Sequence, residues 1–262
     1  MLASKVTPYI TPDGAFVFTL TNNGYKFLTY NLYCHIRDLK LPWKLCIICA
    51  DSESFYFFKM MGVNTIRLQK PLTSTGTEIT PFGTRNFQNL NLLKLDLLHM
   101  FASDPAIRHG VYMDGDIVVY SDFLPDIVSR LSAPEAPKIY LQCDEQTRVD
   151  CSGKPSCENG CTGFITWSHG LDTRIFKVND ETKPIWKARP EDQMFVNRMM
   201  NDLGITVMTL PRILYPNGAF ASMYGVGSLR KVGTHLLHYN YLVGPAKVTK
   251  MKNNGDWLVQ QY

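Results

Sequence analysis

The order of apolar and polar residues predicts strands alternating with helices over the first half of the chain. Continuously apolar runs are typical of buried strands, and they occupy residues 15–20, 44–50 and 64–68. Apolar residues at helical spacing predict helices over residues 25–39, 55–61 and 86–101. Strands buried on both faces and separated by helices indicate an α/β fold with a mostly parallel sheet.

Beyond residue 117 the pattern is less regular. Strands are predicted over residues 139–142, 163–167 and 205–210, and a helix over residues 189–200 begins with Pro190 and two acids. The tail from Tyr215, rich in Gly, Tyr and Asn, is expected to fold back over the sheet. Since no repeat or linker separates these segments, we expect one domain over residues 1–262.

Two carboxylates interrupt the strand predicted over residues 111–120. Asp114 and Asp116 are two residues apart, so on an extended strand their side chains would meet on one side. Like charges in an apolar setting repel and lose hydration, and a divalent cation would explain their proximity. Oxygen ligands suit Mg²⁺ or Mn²⁺. The alternative is a plain strand end with a bend at Gly115.

Composition narrows the class of protein. A chain of 262 residues can bury a large core, and a net charge of +4 is too mild to demand nucleic acid as a partner. No apolar run approaches the about 20 residues of a membrane span, and the first residues lack a secretory signal. We therefore expect a soluble, cytoplasmic protein, with the luminal domain of a Golgi enzyme lacking its anchor as the alternative.

Seven cysteines fall into two groups. Cys34, Cys46 and Cys49 lie in apolar segments and are predicted to be core thiols. Four others crowd into a predicted loop rich in Gly, Pro and Ser, namely Cys143, Cys151, Cys157 and Cys161. Free thiols, local disulfides and a zinc site all remain open for them, although the absence of Cys-x-x-Cys pairs disfavours zinc. Without a secretion signal, reduced thiols are expected.

The order of motifs resembles that of the GT-A nucleotide-sugar glycosyltransferases, especially the glycogenin-like and nucleotide-diphospho-sugar transferase families. The resemblance spans residues 16–257 and rests on the order of six features. They are FTLTNNGY at residues 18–25, Lys94 on the helix before the Asp-x-Asp pair, that pair itself, CTGF at 161–164, EDQ at 191–193 and HYNYLVGPAK at 238–247. It implies a single GT-A, Rossmann-like domain. Residues 1–120 would form the nucleotide-sugar half, and residues 121–262 the acceptor half.

The resemblance also implies a role for each motif on the donor side. Asp114 and Asp116, which flank Gly115, would hold the metal together with His238, while His235 is the less favoured ligand. The phosphates would meet Gly244 and Lys247. The base and ribose would lie against Thr19, Thr21 and Tyr25.

The donor sugar is expected to meet Lys94, Asp192 and Gln193. Two departures from the family pattern are visible. Cys161 stands where the families often have Asn, and the spacing from His238 to Gly244 is longer than in glycogenin-like enzymes. Gly163 would let the substrate approach the backbone closely.

The activity implied is metal-dependent transfer of a sugar from a nucleoside diphosphate to a hydroxyl of a glycan or glycoprotein. Mn²⁺ or Mg²⁺ would be the cofactor, and UDP the commonest donor nucleotide, with GDP as an alternative. The families mostly retain anomeric configuration; an inverting enzyme would need a base, for which Asp144 or Asp192 are the candidates. The sugar and acceptor would depend on loops at residues 71–83 and 143–161, the second bordering the acceptor site.

Two other functions remain as alternatives. A nucleotidyltransferase also uses paired aspartates, but the first turn lacks the Gly-rich, basic loop expected there. An inactive sugar-nucleotide-binding domain could keep the fold, but the presence of Asp114, Asp116, His238 and Lys247 together disfavours it.

Overall fold

The computed structural model describes residues 2–68, 83–145, 159–206 and 208–259. Its strands are β1 (Ala15–Thr21), β2 (Leu45–Cys49), β3 (Thr65–Arg67), β4 (His109–Met113), β5 (Ile117–Val119), β6 (Ile139–Cys143), β7 (Gly160–Ser168) and β8 (Leu236–His238). Its helices are α1 (Leu2–Val6), α2 (Lys26–Asp38), α3 (Ser52–Met60), α4 (Arg85–Ala102), α5 (Leu124–Ser132), α6 (Lys183–Ala188), α7 (Asp192–Asp202), α8 (Gly218–Tyr224), α9 (Val226–Lys231) and α10 (Pro245–Asn253).

A six-stranded sheet in the order β3-β2-β1-β4-β7-β6 forms the centre of the fold. Strands β3, β2, β1 and β4 run parallel, whereas β7 is antiparallel to both of its neighbours. The predicted α/β fold with a mostly parallel sheet is therefore confirmed. Strands β5 and β8 form a separate antiparallel pair beside the carboxyl end of β4.

Successive side chains of β1 point to opposite faces of the sheet, so this strand contributes to both apolar clusters. Phe16, Phe18 and Leu20 belong to one apolar cluster with the buried face of α4, while Val17 faces a second cluster that contains Leu32 of α2. The two helices thus cover opposite faces of the sheet, as the continuously apolar strands predicted. Burial of each large apolar side chain contributes about 1.5–3 kcal/mol.

Helix α3 illustrates how local sequence sets a boundary. The Asp51 side chain accepts a hydrogen bond from the Ser54 backbone N–H at 2.8 Å and so caps the first turn. The helix therefore begins at Ser52, three residues before the start predicted at residue 55. Cys34, Cys46 and Cys49 are buried free thiols, as predicted for the core.

The prediction of one continuous strand over residues 111–120 is wrong. Strand β4 ends at Met113, and β5 begins at Ile117 in the other sheet. A turn closed by the Ile117 N–H and the Asp114 carbonyl, 3.2 Å apart, separates them. Asp114 and Asp116 therefore lie in a tight turn at the end of a central strand. The turn brings their side chains together, and the two-residue repeat of an extended strand does not.

Three further differences concern the second half. Within residues 205–210, of which 207 lies outside the described part, Thr209 makes an isolated bridge to Leu141 and the predicted strand is absent. Helix α5 was not predicted, although Leu124, Ile127 and Leu131 are buried at helical spacing. Cys143 and Cys161 are buried in β6 and β7, not in a loop.

The predicted loops fall largely outside the described residues. This applies to residues 69–82 and 146–158, and therefore to Cys151 and Cys157. Among the helices that the structure does describe, none combines the length and the apolar character that crossing a lipid bilayer would require.

Candidate functional site

The turn after β4 brings two carboxylates and an imidazole together. Ile117 of β5 pairs with His238 of β8, so the short second sheet places His238 beside Asp116. Its Nε2 lies 3.1 Å from Asp116 Oδ1 and 3.8 Å from Asp114 Oδ2. One potential ligand atom from each of the three residues lies within 4.8 Å of the others. This cluster can hold a single metal ion.

Gly163 of β7 leaves room for this cluster. Its carbonyl accepts a hydrogen bond of 2.7 Å from the Asp114 N–H. A Cβ atom added at Gly163 would lie 2.1 Å from His238 Cε1 and 2.8 Å from Asp114 Oδ2. Sequence reasoning expected a substrate to approach Gly163 closely; the structure shows that two members of the cluster do so.

The charges around Asp116 are strongly coupled. Burial alone would raise the pKa of Asp116, but Lys247, which donates a hydrogen bond to Asp116 Oδ2, and His238 together hold it below its usual value. Burial alone would lower the pKa of His238, yet the Asp116 carboxylate raises it well above its usual value. Metal binding at this cluster would therefore compete with a proton on His238 and with the Lys247 ammonium.

The donor set fits a hard divalent cation. Two carboxylates and an imidazole are suitable ligands for Mn²⁺, and the carboxylates also suit Mg²⁺. The bare backbone at Gly163 keeps the space next to the His238 ring and Asp114 free of side chains. Asp114, Asp116 and His238 are therefore the residues that would hold such an ion.

Lys94 of α4 joins the metal cluster to the helix α7. Its ammonium lies 3.3 Å from Asp114 Oδ1, 2.7 Å from Asp192 Oδ2 and 4.5 Å from the centre of the Tyr112 ring. Burial alone would lower the pKa of Lys94, but Asp114 and Asp192 raise it, so the side chain stays charged. Lys94 is thus a buried cation between two anions.

Asp192 is held as an anion at the first position of α7. Burial would raise its pKa, but Lys94 and the Thr162 hydroxyl, which donates at 2.7 Å, lower it. The helix predicted over residues 189–200 is present, but it begins at Asp192 and ends at Asp202. Its side chain does more than favour the helix terminus, because it pairs with a lysine from another element.

A second polar cluster surrounds Asp144, just after β6. Gln193 donates to Asp144 Oδ2 at 2.9 Å, while Asn217 and Asn240 donate to Asp144 Oδ1 at 3.2 and 2.8 Å. The Tyr241 hydroxyl lies 2.9 Å from the Asp144 carbonyl oxygen. These contacts join the end of β6 to α7 and to the C-terminal segment.

Both clusters open into one cleft with a volume of about 920 Å³. The predicted residues that line it are Tyr25, Lys94, Asp114, Gly115, Asp116, Asp144, Asp192, Gln193, His238, Gly244 and Lys247. Thr19 and Thr21 are instead buried within β1, where Thr21 Oγ1 accepts a hydrogen bond of 3.0 Å from Thr29. Their contact with a base and ribose stays a prediction without support from this geometry.

Several residues at the site were not found from the sequence. The Tyr112 hydroxyl donates to Asp114 Oδ1 at 2.6 Å, and its position two residues before Asp114 was the one available signal. Thr162 and Asn159 contact Asp192 and Gln193. His235, the less favoured ligand, lies 2.8 Å from Ser121 Oγ and does not line the cleft.

Comparison with known proteins agrees with this geometry. The family model described as nucleotide-diphospho-sugar transferase matches residues 43–253. The chain belongs to this family. It is therefore a glycosyltransferase by family membership, and the predicted resemblance is confirmed. No curated protein sequence matches the chain significantly.

Solved glycosyltransferase structures share the fold at low sequence identity. The galactosyltransferase LgtC is 12% identical, with a TM-score of 0.54 over 94% of this chain and 97% of its own. A glycosyltransferase involved in glycosylation of the major capsid of PBCV-1 is 10% identical, with a TM-score of 0.53 over 91% and 98%. Mouse xyloside xylosyltransferase 1 is 9% identical, with a TM-score of 0.52 over 88% and 99%. These likenesses establish a GT-A fold.

Proposed function

We propose that this chain transfers a sugar from a nucleoside diphosphate, with UDP as the first candidate, to a hydroxyl group of a glycan acceptor. Asp114, Asp116 and His238 would hold Mn²⁺ or Mg²⁺. The observation that carries the proposal is the convergence of these three ligands within 4.8 Å in a cleft that also contains Lys94 and Lys247.

The cleft offers the charges that a diphosphate requires. Lys247 follows Gly244 at the start of α10 and contacts Asp116. A divalent cation bound by Asp114, Asp116 and His238 would neutralise charge that develops on the leaving nucleoside diphosphate. When Asp116 has a metal ion as its partner, the Lys247 ammonium can turn to the phosphates as a point charge. We assign Gly244 to the same contact.

The hydrogen bonds of Asp144 and Asp192 support a retaining reaction. An inverting transfer needs a carboxylate that can accept the proton of the acceptor hydroxyl. Asp192 accepts from Thr162 and pairs with Lys94, and its lowered pKa makes it a weak base. Both oxygens of Asp144 accept side-chain hydrogen bonds. We therefore propose that the leaving phosphate takes the proton.

The remaining residues divide between donor and acceptor. We assign Lys94, Asp192 and Gln193 to the donor sugar, and Tyr25 to the base or ribose, because all four line the cleft. Residues 1–120 would form mainly the nucleotide side, and residues 121–262 the acceptor side.

The test is a screen of UDP- and GDP-sugars with the purified protein, measuring release of the free nucleoside diphosphate. Release should require Mn²⁺ or Mg²⁺, stop on addition of EDTA, and return when Mn²⁺ is added in excess. UDP with Mn²⁺ should also raise the melting temperature by mass action, equivalent to about 2.7 kcal/mol at a hundredfold excess over Kd.

Other outcomes would favour the alternatives. Release of pyrophosphate from a nucleoside triphosphate and a sugar phosphate would indicate a nucleotidyltransferase. Binding of UDP-sugars with no turnover for any acceptor tested would indicate an inactive binding domain. Full activity in EDTA would reject the assignment of Asp114, Asp116 and His238 as metal ligands.

A further inference from the structure

A break in the pairing of β6 and β7 places a buried amide behind the metal cluster. Leu141 pairs with Ile165, but the next residue, Gln142, pairs with Cys161. The register therefore skips residues 162–164 of β7, which include Gly163. Such irregularities redirect side chains, and here the Gln142 side chain, which is fully buried, reaches His238.

The backbone fixes the orientation of the Gln142 amide. Its Nε2 donates hydrogen bonds to the carbonyl oxygens of Tyr215 and Pro216, at 3.1 and 2.9 Å. The nitrogen of an amide carries two donors, whereas its oxygen can only accept. Both donors are used by these carbonyls, so Oε1 is the atom that faces the imidazole of His238.

This orientation determines which nitrogen of His238 is available to a metal. Gln142 Oε1 lies 2.8 Å from His238 Nδ1. Because Oε1 can only accept, Nδ1 carries a hydrogen, and in the neutral ring the lone pair is on Nε2. Nε2 is the nitrogen that faces Asp116 and Asp114. Cys161 Sγ, 3.7 Å from Nδ1, is a weaker neighbour of the same nitrogen.

We propose that Gln142 is the positioning residue of His238, holding the imidazole in the tautomer and orientation in which Nε2 completes the cation site. This inference rests on the proposed function, because it requires a divalent cation at Asp114, Asp116 and His238. Gln142 does not line the cleft and acts only through His238. As a neutral amide, it fixes the ring without adding a third carboxylate to a site that already contains two.

The test compares Mn²⁺ binding to metal-free protein by isothermal titration calorimetry, with Gln142→Met as the variant. Methionine is similar in size and unbranched but cannot accept the Nδ1 hydrogen bond strongly. Loss of a partner that orients a ligand typically weakens metal affinity about 10- to 100-fold, and this is the expected change in Kd.

Asn31→Leu is the matched control. Asn31 is also a fully buried amide that bonds to the backbone, donating to the Asp256 carbonyl at 2.9 Å and accepting from the Leu258 N–H at 2.7 Å. It has no contact with the three proposed ligands among the described residues. This variant should lose stability but keep the Mn²⁺ affinity of the unchanged protein, which separates positioning from general destabilisation.

A second measurement needs no variant. In ¹⁵N NMR spectra of the unchanged protein saturated with diamagnetic Mg²⁺, His238 should carry its hydrogen on Nδ1. A hydrogen on Nε2 would overturn the positioning role. So would a Kd of Gln142→Met for Mn²⁺ within about twofold of that of the unchanged protein, instead of the expected increase of about 10- to 100-fold. If the unchanged protein binds neither ion, the metal site of the proposed function fails and this inference fails with it.

Discussion

Two buried aspartates, Asp116 and Asp256, differ in whether a second carboxylate lies beside them. The two residues are 8% and 1% exposed. Asp256 accepts hydrogen bonds from the hydroxyl groups of Tyr120 and Tyr239, and it pairs with Arg230. Asp116 also has cationic neighbours, His238 and Lys247, but it lies beside a second carboxylate, Asp114, within the same cluster of potential ligands.

The difference shows that burial of a charge does not by itself mark a functional site. Asp256 anchors the C-terminal segment, since its carbonyl also accepts from Asn31 and its side chain is neutralised locally. Such an arrangement stabilises a fold. Two carboxylates crowd around one point at Asp116, which favours binding of a cation there. The contacts of Asp256 in the described part of the chain include no second carboxylate.

Asp116→Ala is expected to have the largest effect on activity. The substitution removes a proposed metal ligand and the carboxylate that contacts Lys247. Turnover should therefore fall by more than about 100-fold. The variant should remain folded, because relief of the repulsion from Asp114 offsets part of the cost of leaving His238 and Lys247 without their partner. Steady-state kinetics and thermal unfolding measure the two effects.

Asp180→Ala, which removes a fully exposed carboxylate, is the control and should change neither quantity. Unfolding of Asp116→Ala at ambient temperature would show that Asp116 is structural, as Asp256 is, and the contrast between the two aspartates would be lost.

Asp256→Ala should affect stability first. It leaves the hydroxyl groups of Tyr120 and Tyr239 without their buried acceptor, at a cost on the order of 3 kcal/mol. Urea unfolding should show this loss, while Mn²⁺ binding below the new melting temperature should be preserved. Asp38→Ala, at an exposed ion pair, should stay within about 0.5 kcal/mol. A stable Asp256→Ala variant without Mn²⁺ affinity would contradict the structural role.

Lys247→Ala should weaken UDP binding by about 1.5–3 kcal/mol, the range for a hydrogen bond to a charged group. Uridine, which lacks phosphates, should bind equally well to variant and unchanged protein. Calorimetric titration with Mn²⁺ present distinguishes the two ligands. Lys250→Ala, exposed on the same helix α10, is the control. Equal losses for uridine and UDP would show that Lys247 does not contact the phosphates.

Much of the first half of the fold was predictable because its strands and helices follow local rules. The apolar runs of β1 and β2 and the periodicity of α4 match the observed elements closely. The irregular region from β6 to β8 was harder to predict from the sequence. Its pairings join residues far apart in the chain: Thr209 bridges to Leu141, and the short strand β8 pairs with β5. Short strands of this kind carry little periodic signal.

The sequence by itself determined the alternating architecture and the chemical inventory of the site, including Asp114, Asp116, His238 and Lys247. Only the tertiary structure decided which polar groups meet. Gln142 lies 96 residues from His238 along the chain, and Asp192 of α7 is joined to Lys94 of α4, a helix that packs in the same apolar cluster. Such pairs depend on strand register, turn geometry and the direction of each side chain, all of which arise from packing of the whole core and not from local propensity.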